Sequence, residues 1–174
     1  MKKGFKKDLK MKYSEIAKTQ EYNSDKNCCT VVASSIAFNV PFDEMQNYFF
    51  QHGRERNKGY HMHKIVPEIA KDYGYKAEKF DKVSNGYYNS KTGEKILKDT
   101  PSLTVKNCTK YLTKGNFILG VRGHVLAVKN GKVEDWTRDP ESINYRVKYI
   151  YRITKTNNVK SLTINKNPFE EFGL

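Results

Sequence analysis

A chain of 174 residues has room for one domain with a full core and too little for two comfortable ones. Its 37% hydrophobic and 13% aromatic content, with twelve Tyr and nine Phe, excludes wholesale disorder, and scarce Pro with no repeat period excludes a low-complexity or solenoid chain. The net charge of +13 sets up a field that attracts nucleic acids and acidic protein surfaces, or else serves only to keep a lysine-rich surface solvated.

No apolar run reaches the ~20 residues that span a bilayer, so no membrane partner is expected. Residues 1–12 carry six Lys and one Asp, and Gly4, Asp8 and Lys10 break up any secretory h-region. Three Cys, two of them adjacent, do not make a disulfide framework, which points to a reducing, cytoplasmic compartment.

In residues 1–20 a basic segment repeats Phe5, Leu9, Tyr13 and Ile16 near helical spacing, as a docked helix or a surface arm. Residues 21–27 are polar and read as a loop that supplies a helix N-cap. From Cys29 a helix follows, with Val32, Ala33 and Ile36 on the stripe of Cys29, and Cys28 rotated about 100° away. That spacing predicts that Cys29, not Cys28, faces the rest of the protein. Pro41 ends this helix. A second one opens on Asp43 and Glu44 and buries Phe42, Met45, Phe49 and Phe50. Residues 52–63 form a loop, and a third helix runs from about 64 to 73, with Pro67 near its first turn and Gly74 as its stop.

Residues 76–80 suggest a strand and 84–93 a loop. Residues 103–113 suggest a helix with Val105, Cys108, Tyr111 and Leu112 inward. The last third is β: strands at 117–121, 124–128, 132–136 and 147–153. Asn130-Gly131 between two apolar runs is a strong hairpin signal. Helices first and antiparallel strands after predict an α+β fold, with N-terminal helices packed on a C-terminal antiparallel sheet. The expected division is a basic segment at 1–20, a domain at 21–160 and a tail at 161–174.

Cys29 at a helix start, His124 at a strand start and Asp135 on the returning strand are the parts of a cysteine nucleophile. A helix N-terminus favours the thiolate, an imidazole completes its activation, and a carboxylate holds the ring in its productive tautomer. A two-residue turn pairs Lys129 with Lys132, which puts His124 and Asp135 on one face as diagonal neighbours, with Trp136 on the other. The structural alternatives are a core thiol, an ordinary strand imidazole and a solvated carboxylate. Cys28 reads as a bystander and Cys108 as core. Zinc-ligand spacings are absent, so neither a metal nor a cofactor is expected.

Residues 28–33 (Cys-Cys-Thr-Val-Val-Ala), Ser35-Ile36-Ala37, Pro41-Phe42-Asp43-Glu44 and Gly53-Arg54 resemble the N-terminal helix pair of small phage-type papain-like proteins. Arg122-Gly123-His124-Val125, Ala127-Val128, Gly131 and Asp135 are similar to that family's histidine hairpin. The resemblance covers roughly residues 27–63 and 116–137. It implies a papain-like fold and a Cys-His-Asp hydrolase of peptide, isopeptide or side-chain amide bonds in a host or partner protein, in the host cytoplasm if phage-encoded. The family commonly has Asp before its nucleophile, where this chain has Cys28.

An amide side chain shortly before the Cys supports the oxyanion in such sites: Asn23 is the candidate and Asn27 the alternative, with the Cys29 N–H as second donor. Arg54 and Arg56 on the basic loop, together with Trp136, are the candidate substrate-binding residues. A non-enzymatic basic binder of nucleic acid or of an acidic host protein, inhibitory or not, is the competing reading.

Overall fold

The helix that opens at Cys29 is not set up by a polar cap. In the computed structural model, which describes residues 10–100, 102–135 and 144–156, its N-cap is Cys28 and no described side chain caps it. The polar stretch expected as a loop instead begins as a short helix. α1 (Tyr13–Ile16) and α2 (Gln20–Asn23) precede α3 (Cys29–Ala37), with Thr19 capping α2 by accepting from the Tyr22 N–H. α4 (Phe42–Gln51) and α5 (Met62–Tyr73) complete the helical half.

Packing explains where the periodicity misled. α3 runs through the middle of the molecule, and every residue from Thr30 to Ala37 is buried, so it has no single apolar stripe. Cys28 is 2% exposed, while Cys29 is only half-buried, which reverses the burial expected from the helical wheel. The α4 pattern holds, except that Phe50 is partly exposed and Tyr48 and Gln46 are buried in its place. α5 starts two residues early at buried Met62, which leaves Pro67 inside the helix. Gly74 ends it in the left-handed region at φ 75°.

The sheet is larger than the sequence suggests. β1 (Tyr75–Val83) contains the strand expected at 76–80, and β2 (Gly86–Tyr88), inside the stretch expected as loop, and β3 (Lys95–Ile96) extend it into a meander. α6 (Val105–Tyr111) follows, fixed by a capping box between Thr104 and Asn107, but its Tyr111 is exposed and not inward. β4 (Asn116–Val121), β5 (His124–Lys129), β6 (Lys132–Glu134) and β7 (Tyr149–Lys155) complete, among the described residues, seven antiparallel strands in the order β3-β2-β1-β7-β4-β5-β6. The fold is mixed α+β.

Alternation along the strands splits the core in two. Ile118, Val125, Ala127, Tyr151 and Ile153 pack with α3, α4 and α5 on one face. Leu119, Leu126, Val128 and Ile150 pack with Phe80, Leu103 and Cys108 on the other. Residues 10–20 dock on the first side and do not form a separate arm: Ile16 is 1% exposed, and the Tyr13 N–H donates to Glu134 Oε2 at 3.0 Å. Residues 161–174 lie outside those described.

One buried ion pair ties the segment before Cys29 to the loop after α4. Asp25 accepts from Arg54 Nη1 at 2.6 Å, Arg54 Nη2 at 2.9 Å, Gln46 Nε2 at 2.9 Å and the Asn57 N–H at 2.8 Å. Burial alone would raise the Asp25 pKa, but the hydrogen bonds from Arg54, Asn57 and Gln46 outweigh it and hold the carboxyl below its ordinary range. Stability from this depressed group is present above the ordinary carboxylate pKa and is lost as pH falls through the depressed value. Asp25→Ala leaves a buried guanidinium uncompensated and is expected to cost about 3–5 kcal/mol, read as a fall in the urea midpoint at pH 7.

Candidate active site

The β5–β6 hairpin turns on Asn130-Gly131, both at positive φ (49° and 78°), the pair of angles a type I′ turn requires. Its register is the one expected from sequence: Lys129 opposite Lys132, Val128 opposite Val133 and Ala127 opposite Glu134. β6 ends at Glu134, and Asp135 sits just past it in a bend, its side chain 1% exposed.

His124 Nε2 donates to Asp135 Oδ2 at 2.7 Å. A carboxylate only accepts, so this bond fixes the ring and leaves Nδ1 for another partner. The Cys29 sulfur is near enough to raise the pKa of the same ring. Strand alternation alone would have turned His124 to the face of Leu126 and Val128, away from α3. Its place as first residue of β5, directly after the Arg122-Gly123 turn, puts it at the sheet's end, where the N-terminus of α3 lies within reach.

Burial on its own would lower the His124 pKa. The Asp135 hydrogen bond, then Cys29, reverse this and push it up to about 9. The imidazolium is therefore the neutral-pH form. The other two thiols stay protonated, because burial pushes Cys28 and Cys108 up to about 11. A thiol beside an imidazolium held by a buried carboxylate, at an uncapped helix start with its first-turn N–H groups, can perform nucleophilic acyl chemistry.

The remaining sequence-predicted residues divide. Asn23 Nδ2 donates to the carbonyls of Ala17 at 3.2 Å and Thr19 at 2.8 Å, which occupies both amide hydrogens and leaves no donor for an oxyanion. Asn27, at φ 57°, donates to the Asn57 carbonyl at 3.0 Å and keeps its second hydrogen. Arg54 is not a substrate ligand: it is 3% exposed and spent on Asp25 and the Lys58 carbonyl. Arg56 remains exposed, bonded to Ser24 Oγ at 3.1 Å and stacked 5.5 Å from the Phe50 ring centroid. Trp136 lies outside the described residues.

Sequence reasoning missed Tyr149. Its ring carries the charge influence of Cys29 and is raised to about 12, mainly by burial. It also lies edge-on to His63, 4.7 Å between centroids, while His63 Nδ1 is paired with the Tyr151 hydroxyl at 2.6 Å. Gly120 makes room for it, since a Cβ there would meet the Tyr149 ring at 2.1 Å. A glycine inside an otherwise apolar strand was the signal available in the sequence.

Among the described residues no group of three or more His, Cys, Asp or Glu could hold a metal ion, and no helix is long and apolar enough to cross a membrane. Comparison of the chain with protein-family models, with curated proteins and with solved structures returned no match. Iodoacetamide at pH 7 is expected to label Cys29 at least tenfold faster than Cys28 or Cys108, and His124→Ala to remove that advantage. Peptide mapping by mass spectrometry reads both.

Proposed function

We propose that this chain is a papain-like cysteine hydrolase that cleaves an amide bond of a protein substrate through Cys29, His124 and Asp135. The observation that carries this reading is the His124 ring held by a buried carboxylate, with the half-exposed thiol at the start of α3 near enough to shift its pKa. The Cys29 thiolate attacks the carbonyl carbon, and the tetrahedral oxyanion takes hydrogen bonds from the Cys29 N–H and from the spare Asn27 amide hydrogen. Collapse breaks the C–N bond as the His124 imidazolium gives its Nδ1 proton to the departing amine. A thioester remains on Cys29. Neutral His124 then takes a proton from water, the hydroxide adds to the thioester, and the thiolate leaves beside the re-formed imidazolium. Asp135 keeps the ring in one orientation throughout and is not itself protonated.

Cys29→Ala is expected to abolish turnover of a fluorogenic peptide-amide library while the protein stays folded, whereas Cys28→Ala keeps most of it. Equal loss in both variants would refute the assignment.

The raised His124 pKa gives a second expectation. The imidazolium is fully present below 6.5 and is lost as pH rises through about 9, so kcat/KM declines on an alkaline limb near 9. Asp135→Asn moves that limb toward 6.5 and lowers the plateau by about a hundredfold or more, read from the pH–rate profile. An unmoved limb removes Asp135 from the mechanism.

A further inference from the structure

A second feature sits at the same end of the sheet as Cys29 and belongs to no step above. Beyond the Arg122-Gly123 turn, a hollow of about 410 Å³ is walled by Lys82, Arg122, Arg146 and Lys148, with Tyr145 on its rim and Val147 buried in its lining. All four cations are exposed, and none is matched by a carboxylate among the described residues. Among the described residues only Lys82 has a side-chain partner, the Ser102 hydroxyl at 3.0 Å.

Unpaired cations crowded into one concavity repel each other and raise the local potential, which an anionic ligand relieves. The backbone beneath them is held on several sides. The Tyr145 carbonyl accepts from the Val105 N–H at 3.2 Å, and the Val147 N–H donates to Leu103 O at 2.9 Å. The Lys148 N–H donates to Gly120 O at 2.8 Å, and Lys148 O accepts from the Lys82 N–H at 3.1 Å. The stems therefore leave a fixed frame, and ligand binding need not order the backbone first.

We infer that this hollow is a docking site for an acidic, Asp- or Glu-rich segment of the polypeptide substrate, adjoining the bond that Cys29 attacks. This rests on the hydrolase reading and supplies its substrate class. Arg122 stands two residues from His124, at most about 7 Å of backbone, within one Debye length at physiological salt. Lys148 adjoins Tyr149, whose ring packs against the same core as Cys29. A chain whose carboxylates sit among these cations is thus held a few residues from the nucleophile. The cations are gathered in one hollow and do not form a stripe, which suits a short acidic segment better than the evenly spaced phosphates of a nucleic acid.

The test uses the full chain with Cys29→Ala, so that binding is read without turnover. A fluorescein-labelled peptide alternating Glu and Gly is titrated by anisotropy at 50 and 200 mM salt. Arg122→Gln with Arg146→Gln is expected to weaken binding at least tenfold at the lower salt. Lys64→Gln with Lys71→Gln, an exposed pair on α5, changes it less than twofold. Equal weakening by both pairs, or no measurable peptide binding, overturns the proposal. So does a labelled single-stranded oligonucleotide that binds more tightly than the peptide and is lost in the Arg122/Arg146 variant. Iodoacetamide labelling of Cys29 in the otherwise wild-type Arg122/Arg146 variant keeps the two readings separable. Retained labelling with lost peptide binding supports the docking site, whereas slow labelling in the wild-type chain counts against the hydrolase alone.

Discussion

The ion pair between Asp25 and Arg54 is the constraint on which the site depends. Both side chains are fully buried, and the four bonds Asp25 accepts join the stretch before Cys29 to α4 and the loop beyond it. α3 lacks a polar cap, so little local chemistry fixes where it begins. The buried pair supplies that fix from a distance, four residues ahead of the sulfur. Separating a buried ion pair leaves an uncompensated charge in the core, so arrangements that keep the two together are strongly favoured over those that do not. Here the arrangement in question is the position of the first turn of α3 relative to the end of the sheet.

Charge is distributed by burial. The acid on α3's approach is neutralised by Arg54, the acid after β6 by His124, and two of the three thiols are kept protonated by the core around them. What remains at the sheet's end is one half-exposed thiol beside an imidazolium, flanked by cations that no described carboxylate matches. The +13 net charge is therefore more than a diffuse property: four of its contributors line a single hollow beside the Arg122-Gly123 turn.

Much of this was legible in the sequence, where local chemistry dominates. The Asn130-Gly131 turn dictated a register that the strands keep, and Gly74 and the Cys29 helix were readable from punctuation and pattern. Four features were not. The helical wheel misjudged Cys28 because α3 is enclosed on all sides, so burial there no longer follows amphipathic period. Arg54 read as a ligand because its partner, Asp25, lies 29 positions away and nothing local hints at the pairing. The β2 and β3 strands hid in a polar stretch because they sit near the sheet's edge, where apolar alternation is weak. Asn23 had the right spacing for an amide donor, but α2 claims its side chain, which spacing alone does not reveal.

The tight turn between β5 and β6 carries a consequence for how this chain tolerates change in length. His124 and Asp135 stand on opposite arms at the open end of the ribbon, so a single residue gained or lost in either arm would flip one of them to the other side of the sheet. Only matched additions, one per arm, preserve their meeting. The hairpin thus works as a gauge block: its span, more than the identity of the residues within it, keeps the acid and the ring aligned.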